Sequence, residues 1–525
     1  MLEDGGNVVV LCDKNMGMSI LDLEIMRKAD SELMRQMGAL EVSREKIEII
    51  NGVFEQIEGF EDSMIEEERK YIDFVYKDRN VKNCLIEIPF LRSTHKIHKM
   101  TDEMIENKDI ENLKFRPIID ARMWATRGYS ELVMKMLKKL NICILEKCCG
   151  LLRKSQPKSG WEFSKKIQEV MMNERYVVLG NADIQEAYTN VTESMICEAI
   201  ITLNRRFSIY SQWKCGLLLK MIKLVMRNNY VETSVGLYLF KPVLPMGYKI
   251  SGEALNTVLL LSEIERFDSC GISELKNYPL DFVDISVKKE SLMTRGVKDY
   301  NRYVDDIFTM VCGNDIETIM EGILGISYMF PVELVVTMEL NIWRSKFLDV
   351  MFWRDVESDM MSTVVHQKSF APVGHVKAKS NHPKKYKLQS MMGELLRNRR
   401  ISSDEEIINQ IDEHIQAMFV SIGYSRLQMY SRMKKYTDKI ISNYTDYMTK
   451  MNDEVEEKKY MYGGGIEYTN MFDCYNWACE IIGATKLKGE PMLVQVPGRR
   501  LKNKVYTKRR YLRRQQSQVL HYKGK

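Results

Sequence analysis

Two aspartates, Asp305 and Asp306, stand side by side in YNRYVDDIFTMV, Tyr300–Val311, inside an otherwise apolar strand pattern. Burying either charge without a partner is costly, so a purely structural role explains them poorly, whereas a bound cation removes the cost. A third acid, Asp183, stands near the end of a separate strand pattern, RYVVLGNADI. Two acids from a hairpin turn and one from another strand are what a two-metal phosphoryl-transfer site requires. One ion lowers the pKa of the attacking hydroxyl, the other stabilises the leaving oxygens, and the two sit about 3.5–4 Å apart. Carboxylate oxygens suit Mg²⁺, which favours an octahedral oxygen shell. On this reading Asp183 and Asp305 bridge the ions and Asp306 is the auxiliary acid.

The flanking pattern supplies elements to position these acids. Residues 7–22 read as strand, Gly-containing turn, strand, and residues 23–80 as mostly helical by period. IPFLRSTHKIHK through LKFRPIIDAR breaks helical continuity with Pro and bases and reads as loops and short strands. YSELVMKMLKKLNICILEKC predicts a helix, and RYVVLGNADIQEAYTNV a strand that ends at an aspartate and enters a helix. FKPVLPMGYKISGEALNTVLLLSEIERF predicts a loop closed by Pro245 and Gly247, then a long helix beginning near Ser251. ELVVTMELNIWRSKFLDVMFWRD and MSTVVHQKSF supply further strands. From Pro383 the pattern turns helical, with Leu388, Met391 and Leu395 on one face, and MNDEVEEKKYMYGGG reads as a linker near residues 452–465.

The bulk composition narrows the class. At 525 residues and 45% hydrophobic content the chain buries a large core, with length suggesting three to four subdomains of about 150 residues. The net charge is +5, yet from Arg499 to the end there are eleven Lys and Arg and no Asp or Glu. Such a block is either a solvated tail or a nucleic-acid-binding or import segment. Eleven cysteines without a C-x-x-C pair disfavour a disulfide framework or a tetrahedral zinc site. The acidic start is no secretory signal, and no stretch approaches the roughly 20 apolar residues of a membrane span. These features lead to the expectation of a soluble, intracellular protein.

The three acids fall within a pattern that resembles the palm of a reverse transcriptase. ADIQEAYTNV, LPMGYKISGEALN and YVDD stand in the order of the family's motifs A, B and C. DKNMG, RSTHKIHK followed by FRPI, AYTNV, KFLDV and SNHPKKYK are similar to the Penelope-like reverse transcriptases, a retroelement family related to telomerase. The resemblance runs from about residue 7 to about residue 400. It implies an α+β right-hand polymerase with a helical thumb. The expected layout is an N-terminal extension over 1–80, fingers over 81–175, palm over 176–375, thumb over 376–452, and a linker and basic region over 453–525. The implied activity is RNA-directed DNA polymerisation with two Mg²⁺ ions, or Mn²⁺ in their place. Its partners would be an RNA template, a DNA primer, the RNA–DNA duplex and dNTPs, with no membrane, in the nucleus if the host is eukaryotic.

By the same resemblance, Asp183 is the motif A acid and the backbone carbonyl of Ile184 completes that metal's shell. Tyr188 matches the steric gate that excludes a 2′-hydroxyl; read from its surroundings alone it is equally a core aromatic. Gly247, Ser251 and Asn256 match motif B, where Tyr248, Lys249 and Gly252 depart from the family's usual small residue and prolines. Alone, that stretch also reads as a simple helix-start loop. Lys96, Lys99 and Arg116 match the basic positions of the fingers, where polyphosphate needs charge and several donors. Phe347, Leu348 and Asp349 resemble the turn that grips the primer end, and a core hairpin is a compatible reading. Lys384, Lys385 and Lys387 open the thumb helix, whose bases would follow a duplex backbone.

Many Penelope-like proteins end in a GIY-YIG endonuclease. Gly465, Ile466, Tyr468, Ile482 and Gly483 echo that pattern faintly, but Glu467 interrupts the first triplet and no Asp or Glu follows Glu490 to hold a metal. No active endonuclease is expected. Two other functions stay open: an RNA-dependent RNA polymerase, which shares the palm acids, and a non-catalytic nucleic-acid-binding protein on the same scaffold. Tyr188 argues against the first. Retention of all three acids argues against the second, because without metal they repel phosphate.

Overall fold

The computed structural model describes residues 7–11, 18–75, 86–96, 115–148, 150–170, 174–267, 296–355, 359–366, 375–380, 387, 389–427, 429, 461–463 and 493–495. Lys99, Lys384, Lys385, Leu388, the GIY-YIG echo and the basic segment from Arg499 lie outside the described residues. The chain divides into two compact units, Met1–Pro372 and Val373–Lys525.

The first unit is α+β. β1 (Asn7–Leu11) and β2 (Met18–Asp22) pair antiparallel, as the strand–turn–strand pattern predicts. α1 (Leu23–Gln36), β3 (Leu40–Glu41), α2 (Lys46–Asp62) and α3 (Glu66–Val75) fill most of the segment with helical period. The Pro- and base-rich stretch yields β4 (Phe90–His95) and β5 (Phe115–Asp120). There follow α4 (Arg127–Lys147), α5 (Gly160–Gln168), β6 (Tyr176–Ile184), α6 (Glu193–Phe207) and α7 (Gln212–Arg227). β7 (Tyr230–Glu232), β8 (Leu237–Leu239) and α8 (Ser251–Phe267) come next. The unit continues with β9 (Val297–Tyr303), β10 (Asp306–Gly313), α9 (Ile316–Ser327) and β11 (Val336–Asn341). It closes with β12 (Arg344–Phe347), β13 (Val350–Asp355) and β14 (Met360–Val365).

Three of its sheets frame the acids. The four-stranded sheet has the order β11-β6-β10-β9, every neighbour antiparallel. A mixed five-stranded sheet runs β3-β8-β7-β4-β5, and a three-stranded one β12-β13-β14. α8 lies at the centre of the helical layer against α4 and α6 and is buried on nearly every side, from Ser251 and Ala254 through Leu259, Leu260 and Ile264. A helix apolar all round belongs in a core. Its start is fixed by Ser251, whose hydroxyl donates to the Pro245 carbonyl at 2.6 Å.

Below the acids, four phenylalanines lock the four- and three-stranded sheets to α5. Phe163 is fully buried and stands edge-on to Phe308, Phe347 and Phe352, with centroids 5.4, 4.9 and 5.4 Å away. Phe163→Ala is expected to cost about 3–5 kcal/mol, read as a lower denaturant midpoint with little change in the slope, because the surrounding sheets cannot collapse into the space.

In the second unit α10 (Gln389–Ile401) and α11 (Glu405–Ser421) pack through Met391, Leu395, Ile415 and Phe419. Met391 and Leu395 thus share the buried face that their spacing predicts. Asp404 caps α11 by accepting from the Ile407 amide at 2.9 Å, and Asp412 binds both Asn398 and Arg399. Met461–Gly463, within the stretch read as a linker, instead forms β15 and pairs in parallel with β16 (Leu493–Gln495). The β-prone Tyr462 pairs with Val494 there, and Gly463 pairs with Gln495.

Candidate active site

β9 and β10 are joined by a two-residue turn, Val304 and Asp305, with Tyr303 and Asp306 paired at its base. Val304 has φ 61°, a left-handed conformation that a β-branched residue adopts only when its surroundings hold it there. The register of β10 on β6 sets Asp306 opposite Asp183. The Ile184 amide donates to the Asp305 carbonyl at 3.3 Å, which makes that pair the hydrogen-bonded position. Asp183 and Asp306 therefore occupy the neighbouring close position, where opposed Cα atoms of antiparallel strands approach to about 4.5 Å.

Thr337, opposite Asp183 on β11, and Tyr303, opposite Asp306 on β9, complete a row across the sheet. All four are exposed, whereas the alternate residues Ala182, Ile307 and Arg302 are buried against the helical layer. Strand alternation thus puts two carboxylates at one exposed edge, with Asp305 half-buried at the hairpin tip beside them.

Tyr188 lies in the single helical turn Ala187–Asn190 that follows β6. Burial pushes its phenol above the ordinary value, the Asp305 carboxylate pushes it further, and the Arg116 guanidinium opposes both. Those influences place Tyr188, Asp305 and Arg116 in one electrostatic neighbourhood, although they come from three separate stretches of chain. Arg116 sits on β5 opposite Thr94, whose hydroxyl donates to the Arg116 carbonyl at 3.3 Å. Lys96, half-buried, follows β4 directly.

The Gly247 loop packs on the same strand. Gly247 has φ +110°, a Cβ there would stand 2.2 Å from the Ile119 carbonyl oxygen, and the Ile119 amide donates to Met246 at 2.7 Å. Tyr248 is turned into the core, 7% exposed, so its bulk is taken up among apolar side chains. Asn256 engages Arg302 through its side-chain oxygen at 2.8 Å.

The residues Phe347, Leu348 and Asp349 divide their roles. Phe347 is the core wedge described above. Leu348 has φ 56° at the turn. Asp349 sets its carboxylate against Gly160, so closely that any Cβ there would overlap it; an acid is favoured at this first turn of α5 by the helix dipole. In the second unit, Lys387 donates to the Ala378 carbonyl at 2.7 Å.

The edge can bind a hard cation and position phosphate. Among the described residues no three Asp, Glu, His or Cys side chains converge as an all-protein metal cage. Mg²⁺ does not need one, since it takes one or two carboxylates and fills its shell with water and phosphate oxygens. Among the described residues, no helix is long and apolar enough to cross a membrane.

Two features were not foreseen from sequence. Thr337 and Tyr303 flank the acids only because of strand register, which no local pattern reveals. The ion pair of Arg302 with Glu263 had a visible signal: an acid within the apolar run TVLLLSEIERF and an arginine just before YVDD.

No protein-family model matches the sequence, and no curated protein matches it. Solved structures similar to it include telomerase from Candida albicans in complex with a TWJ fragment of telomeric RNA. That structure is 10% identical over 86% of this chain and 68% of its own, with a TM-score of 0.46. Apo telomerase from Candida tropicalis is 10% identical over 82% and 68% of the two chains, with a TM-score of 0.43. A form of the latter truncated from the C-terminal domain is 11% identical over 66% of this chain and 62% of its own, with a TM-score of 0.39. This chain spans less than two thirds of that truncated protein's length. The functional reading rests instead on the site's own geometry.

Proposed function

We propose that the protein is an RNA-directed DNA polymerase of the Penelope-like kind, built as fingers, palm and thumb. It would extend a DNA primer 3′-hydroxyl with dNTPs on an RNA template. The observation that carries this reading is the apposition of Asp183 and Asp306 at one exposed strand edge, with Asp305 at the adjoining hairpin tip. Tyr188 and Arg116 share the electrostatic neighbourhood of that tip.

Asp183 and Asp305, with the Ile184 carbonyl, are the groups that would hold Mg²⁺, and Asp306 adds negative field beside them. The bound ions would supply activation of the primer hydroxyl and neutralisation of charge on the leaving phosphates. The chain's own work is then positioning. Arg116, aided by Lys96 and Lys99, would meet the triphosphate, where a guanidinium offers paired donors. Tyr188 lies under the sugar and leaves no room for a 2′-hydroxyl. The Gly247 loop and the α8 residue Asn256 support the new base pair, and Leu348 meets the primer end while Phe347 and Asp349 hold its turn. Lys384, Lys385 and Lys387 follow the duplex, and the basic segment from Arg499 serves nucleic-acid binding or nuclear import. The burial of Tyr248 favours this reading over a non-catalytic scaffold, because the bulkiest of the three departures from the family's motif B is taken up in the core.

The test is extension of a labelled DNA primer on an RNA template with dNTPs and Mg²⁺, repeated with NTPs. Extension by dNTPs alone supports the proposal. A folded, RNA-binding protein that adds nothing under Mg²⁺ or Mn²⁺ points to a binding scaffold, and preferential use of NTPs points to an RNA polymerase. Tyr188→Ala is expected to lower discrimination between dNTP and NTP, measured as the ratio of kcat/KM values, by about 10²-fold, with primer affinity unchanged.

A further inference from the structure

The two faces of β9 do different work. On the face opposite the acids, Arg302 and Glu263 are both fully buried and paired. The Arg302 Nε donates to Glu263 Oε1 and its Nη2 to Oε2 at 3.1 Å, while the Tyr300 hydroxyl donates to Oε1 at 2.7 Å. The remaining guanidinium nitrogen, Nη1, donates to two acceptors: the Asn256 side-chain oxygen at 2.8 Å and the Val304 carbonyl at 3.0 Å. Burial pushes the guanidinium down, but the Glu263 carboxylate more than offsets it and holds Arg302 above its ordinary value. The same environment pushes the Tyr300 phenol far up, so it acts only as a neutral donor.

Stability alone does not account for such a pair. Two well-packed apolar side chains in the same volume are commonly as stable as a buried ion pair or more so, because both charges must be stripped of water. What apolar residues cannot do is hold a backbone carbonyl in a fixed place. The carbonyl held here belongs to Val304, the residue in the strained left-handed conformation, and the next residue is Asp305. The other end of the network lies on α8, at Asn256, nine residues beyond Gly247, and at Glu263, seven residues further along the helix.

We infer that Arg302, oriented by Glu263 and Tyr300, is a positioning residue that clamps the Val304–Asp305 turn to α8, so that the hairpin acid and the helix facing the new base pair keep one fixed relation. Its link to catalysis rests on the polymerase reading; its effect on the turn does not. Arg302 touches no reacting atom. A lysine at this position could keep the charge pair with Glu263 but not the fork that reaches Val304 and Asn256 as well.

The experiment compares the full chain with Arg302→Lys by amide hydrogen exchange and by primer extension. The clamp requires that exchange at Val304, Asp305 and Asp306 rise by about tenfold or more while the interior of β10 keeps its protection. It also requires kcat to fall by about tenfold or more with the KM for dNTP within about twofold, since an interaction that orients the reacting groups is felt in kcat. The double substitution Arg302→Met with Glu263→Leu, which removes both charges together, serves if the lysine variant does not fold. It should melt near the wild-type temperature yet show the same fast turn and low kcat. Unchanged exchange at the turn in a folded variant overturns the inference. If wild type extends no primer at all, the polymerase reading fails on its own, and the exchange measurement still decides the clamp.

Discussion

Asp305→Asn is expected to give a folded protein whose metal-dependent primer extension is reduced by at least about 10³-fold. The substitution preserves shape and removes charge, and charge is what the proposed chemistry takes from this position. Asp183 and Asp306 already face each other across β6 and β10, with Asp305 one residue away at the turn. Three carboxylates so close repel one another when no cation stands between them. Neutralising one therefore relieves repulsion in the metal-free protein, and the melting temperature should hold or rise slightly. The pairing of lost activity with retained stability separates a ligand from a structural acid, whose removal would lower both. Asp306→Asn makes the internal comparison: as an auxiliary acid it should lose less, and equal losses would mean that the two carboxylates exchange the roles assigned to them. Extension rates and thermal melts with and without Mg²⁺, made on both variants, check the whole set.

The acids and their elements were legible because each announced itself locally. YVDD in an apolar strand pattern is a local anomaly, and Ser251 stands where a helix must start after Pro245 and Gly247; the structure places the β9–β10 turn and the start of α8 at those residues. Within the stretch read as a linker, the short strand Met461–Gly463, which includes the first of the three glycines, was not legible because its partner lies more than thirty positions away. Relations between elements were the larger gap. That Arg116 and Asp305 act on one phenol depends on how β5 and the β9–β10 hairpin stand around Tyr188. That Asp349 complements the start of α5 depends on an approach across nearly two hundred residues of sequence. Spacing alone encodes neither.

Gly247→Ala is expected to be the most damaging single-methyl change near the site. Two effects act together. At φ +110° an L side chain is strained wherever it points, costing about 1–3 kcal/mol. The added methyl would also lie 2.2 Å from the Ile119 carbonyl oxygen and 3.1 Å from the Ile119 nitrogen and carbonyl carbon, an overpacking that adds about 1–3 kcal/mol. The obstacle is backbone, so no rotamer change can clear it. Nor can β5 yield alone, since the Ile119 amide is bonded to Met246 and the strand is paired along its length with β4. The sum, about 2–6 kcal/mol by these two principles, is a large share of the 5–15 kcal/mol that holds a typical domain together. Whatever β5 does yield is transmitted three residues along to Arg116, so the KM for dNTP should rise in the fraction that still folds. Gly252→Ala is the control, because nothing lies within 4 Å of a Cβ at that position of α8. There the same methyl should be neutral or stabilise by about 0.5–1 kcal/mol through helix propensity. Denaturant melts of the two variants, side by side, show whether the Gly247 loop is held by its contact with β5: comparable stability in both would mean that loop and strand move apart without cost, and would remove the structural basis for linking motif B to Arg116.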